Sequence, residues 1–117
     1  IINKTMKAIL IDAENKTVSD IEIEGDQLQG WYKAIKCEMV EIALHLDDHD
    51  SIVVDEEGLL KPAEYFFEYQ GGHQPFAGNG LIVGCDPEGE TVGVKRKADE
   101  VRDKIKFLSL AQVKANL

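Results

Sequence analysis

The chain has 117 residues, 44% of them hydrophobic and 30% charged, and carries a formal net charge of −9. That length fits one domain around one core, which needs neither a disulfide framework nor a structural metal. So acidic a surface excludes broad binding to the nucleic-acid backbone, and no apolar run reaches membrane-spanning length and no signal-peptide pattern opens the chain.

Residues 1–5 read as an upstream extension or cloning remnant, with Met6 opening the first strand. Residues 6–12 are largely apolar, and residues 18–24 return with Ile21 and Ile23 alternating against Asp20, Glu22 and Glu24. With Glu14-Asn15-Lys16 between them, the two runs predict a β-hairpin. Residues 26–35 predict a helix: Asp26 and Gln29 have capping-box spacing, and Leu28, Trp31, Tyr32 and Ile35 form one apolar stripe. Residues 37–46 alternate as a strand, and after a polar loop the Ile52-Val53-Val54 run makes a second one. Residues 59–69 stay ambiguous. Pro62 can start a short helix, whereas Tyr65, Phe66, Phe67 and Tyr69 suit a strand. Residues 81–85 and 90–94 predict another hairpin around Asp86-Pro87-Glu88-Gly89. Residues 98–110 predict a final helix, with Val101, Ile105 and Leu108 inward and Glu100 paired to Lys104.

These elements predict an α+β fold: a mainly antiparallel sheet of about five or six strands with two helices packed on it, in the order β-β-α-β-β-(short α)-β-β-α. Residues 6–110 form the single domain and residues 111–117 a C-terminal tail. Cys37 and Cys85 lie in apolar runs and read as buried thiols of a reducing compartment, so the expected location is cytoplasmic.

The charge is uneven. Residues 1–94 hold 6 basic and 19 acidic side chains, a balance of −13, while residues 95–117 hold 7 and 3, a balance of +4. The most distinctive segment is the glycine-rich loop 71–80, where Gly71, Gly72, Gly78 and Gly80 surround His73, Gln74, Pro75, Phe76 and Asn79. Its backbone can approach a ligand closely and cradle an anion, with Lys95 and Arg96 as candidate partners to that charge. It is not a nucleotide fingerprint, because it runs into a strand rather than a helix. A compact structural loop is the plainer reading. His45, Asp47 and His49 are candidate metal ligands, outweighed by the reading of their segment as a solvated acidic turn. Nucleophilic catalysis has little support: no serine sits in a nucleophile elbow, and neither cysteine has a base beside it in sequence. His73 is the one residue on which a small hydrolase could be built. No cofactor is expected.

Met6-Lys7-Ala8-Ile9-Leu10-Ile11-Asp12, Asp55-Glu56-Glu57-Gly58-Leu59-Leu60-Lys61, and Gln74-Pro75-Phe76-Ala77-Gly78-Asn79-Gly80-Leu81-Ile82-Val83-Gly84 resemble a family of domains of unknown function. Its members are short proteins of phages, plasmids and other mobile elements, often encoded near antirestriction genes. The resemblance runs over residues 6–107, and Gln-Pro-x-Ala-Gly-x-Gly is its most specific part. It brings no catalytic residues. It implies a counter-defence or host-takeover role, exerted in the host cytoplasm by binding a host protein. Two other mechanisms remain open: sequestration of a small anionic nucleotide-type ligand by loop 71–80, and DNA mimicry. Thirteen Lys and Arg against 22 acids make mimicry the weakest. No membrane partner is expected, direct nucleic-acid binding is disfavoured, and a homodimer through an edge strand is open to such a sheet.

Overall fold

The computed structural model of the protein describes residues 5–24, 27–37, 39–58, 62–72 and 74–115. Residues 1–4 of the expected extension 1–5, Asp26 of the capping pair, Leu59, Leu60 and Lys61 of the ambiguous segment, and His73 of the glycine loop lie outside them, whereas Thr5 already belongs to the first strand.

The first hairpin forms as its alternation predicts. β1 (Thr5–Asp12) and β2 (Thr17–Glu24) pair antiparallel along their whole length. Asp12 closes the turn by accepting the Asn15 N–H and amide, and Lys16 takes a left-handed φ of 57°. α1 (Gln27–Ile35) follows and ends at Lys36, also left-handed at φ 66°, where the Lys36 and Cys37 N–H groups both reach the Tyr32 carbonyl. β3 (Val40–His45) and β4 (Asp50–Asp55) form a second hairpin, bulged between Ile42 and Leu44. The late hairpin joins β7 (Gly80–Cys85) to the short β8 (Thr91–Val92) through the expected turn, with Gly89 at φ 85°.

All the strand pairings among the described residues are antiparallel. The larger sheet runs β2-β1-β7-β4-β3, with β8 on the end of β7. A second sheet is built from β5 (Tyr65–Tyr69), β6 (Phe76–Ala77) and β9 (Ile105–Ser109), with β5 in the middle. The aromatic run 65–69 is therefore a strand, and the short helix allowed by Pro62 does not include it.

Strand alternation decides what each face covers. Ala8, Val53, Leu81 and Val83 point to one face of the larger sheet and pack with Ile35 and Trp31 of α1. Ile9, Ile11, Ile52, Val54 and Ile82 point to the other, where they meet Phe67 and Tyr69 of the second sheet. Ala98 and Val101 of α2 (Ala98–Val101) complete that layer. Phe67 is fully buried, which contributes about 1.5–3 kcal/mol relative to an exposed ring. On the outer side of the second sheet, Phe66, Ala77 and Leu108 pack with Leu110 and Val113 of α3 (Leu110–Ala115).

The expected helix 98–110 is the main correction. α2 stops at Val101, a 3-10 turn covers Arg102–Lys104, and Ile105–Ser109 is strand β9, paired with β5. The expected Glu100–Lys104 pair is not formed; Arg102 instead pairs with Asp99 and donates to the Val18 carbonyl at 2.7 Å. Two sheets form where one was expected, and the second covers the face of the larger sheet opposite α1. Residues 110–115 form a short C-terminal helix. Cys37 and Cys85 are not joined in a disulfide, and each is only partly buried rather than buried as expected.

Candidate functional site

Three places on the molecule gather chemistry-bearing residues. One is polar and closed, one is an apolar edge, and one is a cleft ringed by lysines.

The closed place lies where the β3–β4 turn meets residues 95–96. Asp50 falls two residues before Ile52 and so faces the same interior layer, and it is fully buried. One carboxylate oxygen accepts from the Lys95 N–H at 3.2 Å and from His49 Nδ1 at 2.6 Å. The other accepts from the Arg96 N–H at 3.2 Å and Arg96 Nη1 at 2.9 Å. A carboxylate can only accept, so His49 carries its proton on Nδ1. Asp47 caps the turn: its Oδ1 accepts the N–H groups of His49 and Asp50, each at 2.7 Å, and its Oδ2 takes Arg96 Nη1 at 3.0 Å. The backbone bonds from Asp50 and His49 pull the Asp47 carboxyl down to about 2, aided by Arg96. Burial pushes the Asp50 carboxyl up, yet the bonds from His49, Lys95 and Arg96 outweigh it and leave Asp50 below the ordinary carboxylate value. Arg96 is raised in turn by the two carboxylates, against the effect of its burial.

Each of the metal candidates His45, Asp47 and His49 has a partner within the protein. His49 serves Asp50, Asp47 serves Arg96, and His45 Nδ1 lies 2.8 Å from Ser51 Oγ across the hairpin. Among the described residues no group of three or more His, Cys, Asp or Glu could hold a metal ion. Asp50 is the residue that sequence reasoning missed. The signal was available, because a period of two from Ile52 and Val54 turns Asp50 inward.

The apolar place is the edge of the larger sheet. β3 is its last strand, with no described neighbour beyond it. Met39 and Ile42 are 47% and 54% exposed. Ile42 opposes Val53 and so projects on the α1 side. On the other side, a depression of about 220 Å³ separates β3 from Gln74, Pro75 and Phe76. It adjoins a larger one of about 400 Å³, bordered by Gly78 and Asn79, and the two meet at Asp55, Gly58 and Ala77. The glycine loop is locked from behind. The Phe76 ring lies 5.3 Å from that of Phe67, the Gly78 N–H reaches the Tyr65 carbonyl at 2.9 Å, and Asn79 Oδ1 accepts the Ala13 N–H at 3.0 Å. Gly78 has φ 79°, and a Cβ on Gly80 would sit 2.5 Å from the Phe67 ring.

Lys95 and Arg96 do not join this loop. They line a third depression, of about 470 Å³, with Lys7, Lys97, Asp20 and Glu22 around Ile21 and Val94. The candidate residues thus fall into two separate places: Gln74 to Asn79 along the β3 edge, and Lys95 and Arg96 beside β1.

No helix among the described residues is long and apolar enough to cross a membrane. A family model described as a domain of unknown function, DUF3846, matches residues 6–106, and the chain belongs to that family. No curated protein and no solved structure matches the chain.

Proposed function

We propose that this member of the family is a non-catalytic binding module of a phage or other mobile element, acting in counter-defence or host takeover by gripping a host protein. One observation carries the reading: an edge strand, β3, left without a neighbour among the described residues and flanked on both faces by contact surface. An extended segment laid along β3 would gain main-chain hydrogen bonds and place alternate side chains against Ile42 on one face and beside Pro75 and Phe76 on the other. Glu41, Asp55 and Glu56 border that second face, so the partner segment carries basic side chains among its apolar ones. The bulge between Ile42 and Leu44 makes the edge irregular, which favours a matched partner over indiscriminate strand pairing.

A photo-crosslinking residue at position 42 tests this in host cells, with the same residue at position 22 on the opposite edge as control. The expected result is one discrete adduct from position 42, absent from position 22 and lost when unmodified protein competes. Ile42→Asp in that competitor should weaken competition at least about tenfold. Equal labelling from the two edges, or none from position 42, rules the edge out.

A further inference from the structure

The third depression runs against the charge of the molecule that contains it. The chain carries −9 overall, yet three ammonium groups, Lys7, Lys95 and Lys97, stand around one opening of about 470 Å³. Lys7 leaves the end of β1, while Lys95 and Lys97 flank the segment that Asp50 pins through the Lys95 and Arg96 N–H groups. The walls are therefore held by the sheet and by a buried carboxylate, and the cleft exists before any ligand arrives.

Charges nearby are engaged unequally. Arg96 is taken up by Asp47 and Asp50. Asp20 accepts the Ala98 N–H at 2.8 Å. Lys7, Lys95 and Lys97 enter no ion pair among the described residues, although Lys7 lies directly across the hairpin from Glu22. Three unpaired like charges around one concavity repel one another, and an anion between them relieves that repulsion. Val94 supplies apolar surface within the same cleft, and the volume lies in the range of small-molecule sites.

We infer that this cleft binds a small organic phosphate: the lysines hold the phosphate, Val94 contacts an apolar or planar body, and Glu22 accepts from a hydroxyl or amino group. Point-like ammonium groups on flexible stems suit a phosphate without demanding one fixed geometry. The site lies beside β1 and is independent of the partner edge at β3.

The test is an NMR titration of the full chain with ADP, inorganic phosphate and a single-stranded 12-mer oligonucleotide in turn, at low ionic strength. ADP should bind with submillimolar affinity and shift the amides of Lys7, Glu22 and residues 94–97. Inorganic phosphate should bind at the same amides but more weakly. The triple variant Lys7→Gln, Lys95→Gln, Lys97→Gln should weaken ADP by at least about tenfold while keeping the wild-type spectrum elsewhere, since all three side chains are exposed. Ile42→Asp should leave ADP binding unchanged. The inference is overturned if ADP binds no more tightly than phosphate, if its shifts centre on residues 74–80, if the triple variant binds ADP as the parent does, or if the oligonucleotide binds more than tenfold tighter than ADP.

Discussion

β3 and β7 both pair with β4, one on each side of it, and they are opposites in burial and packing. β7 is buried from Gly80 to Gly84, and its glycines are there because nothing larger fits. A Cβ on Gly84 would lie 2.5 Å from both the Gly93 carbonyl and the His49 ring. β3 carries a bulge, an exposed isoleucine and an open edge. Two strands of one sheet, sharing one neighbour, thus differ in role: β7 holds the layers together, and β3 has no neighbour on its outer side among the described residues. Cavities and clashes at β7 should cost stability, whereas changes at β3 should cost recognition.

The largest effect expected on stability comes from the carboxylate that ties the β4 side of this arrangement to residues 95–96. Asp50→Ala leaves Arg96 and His49 facing a buried gap, and should lower unfolding free energy by about 3–5 kcal/mol in denaturant titrations. Glycine replacements in β7 come next. Gly84→Ala forces a methyl group against a backbone carbonyl, and Gly80→Ala forces one against the buried Phe67 ring; each should cost about 1–3 kcal/mol by the same measurement. A loss as small as that of an exposed substitution would mean that the two layers can part to admit a methyl group.

Acid sharpens the comparison differently. Asp47 and Asp50 both sit below their ordinary values when folded, Asp47 at about 2. The unfolded chain therefore takes up protons at these sites first, so their contribution is complete above about pH 4 and disappears as pH falls toward 2. Denaturation midpoints should drop over that window, and the drop should shrink in Asp50→Ala. Smallest of all, Ile42→Thr on β3 should change unfolding free energy by less than about 0.5 kcal/mol, leaving any loss of partner binding attributable to the edge itself.

The sequence made much of the larger sheet legible, and the reason is periodicity. Both outer hairpins and the β7–β8 hairpin show alternation or turn residues that act locally, as at Asp12, Asn15 and Gly89. The C-terminal segment misleads for the same reason. Val101, Ile105 and Leu108 repeat as a helix would, but Ile105 and Phe107 also alternate with Lys106, and pairing with β5, 36 to 44 positions earlier in the chain, decides between the two. Aromatic β-propensity at residues 65–69 belongs to that same pairing. The Asp50–Arg96 contact joins residues 46 positions apart, and no local pattern in residues 45–50 announces it; that segment reads as acidic and solvated because Asp47 and Asp48 are. Residues 74–80 and Lys95 were legible as candidates but not as neighbours, because only the fold sends one group to the β3 edge and the other beside β1.

The placement of β7 also sets how this chain must be made. The strand at the middle of the larger sheet is the last long one of that sheet to be synthesised, and it joins partners as distant in sequence as Ile9 and Ile82. Until it arrives, β1–β2 and β3–β4 are two separate hairpins, each with apolar faces and open edges. Closure over such separations is slow relative to local pairing, and the half-built sheet is the state most exposed to association with other chains. The same insertion that locks the finished molecule therefore makes its synthesis the moment of greatest vulnerability.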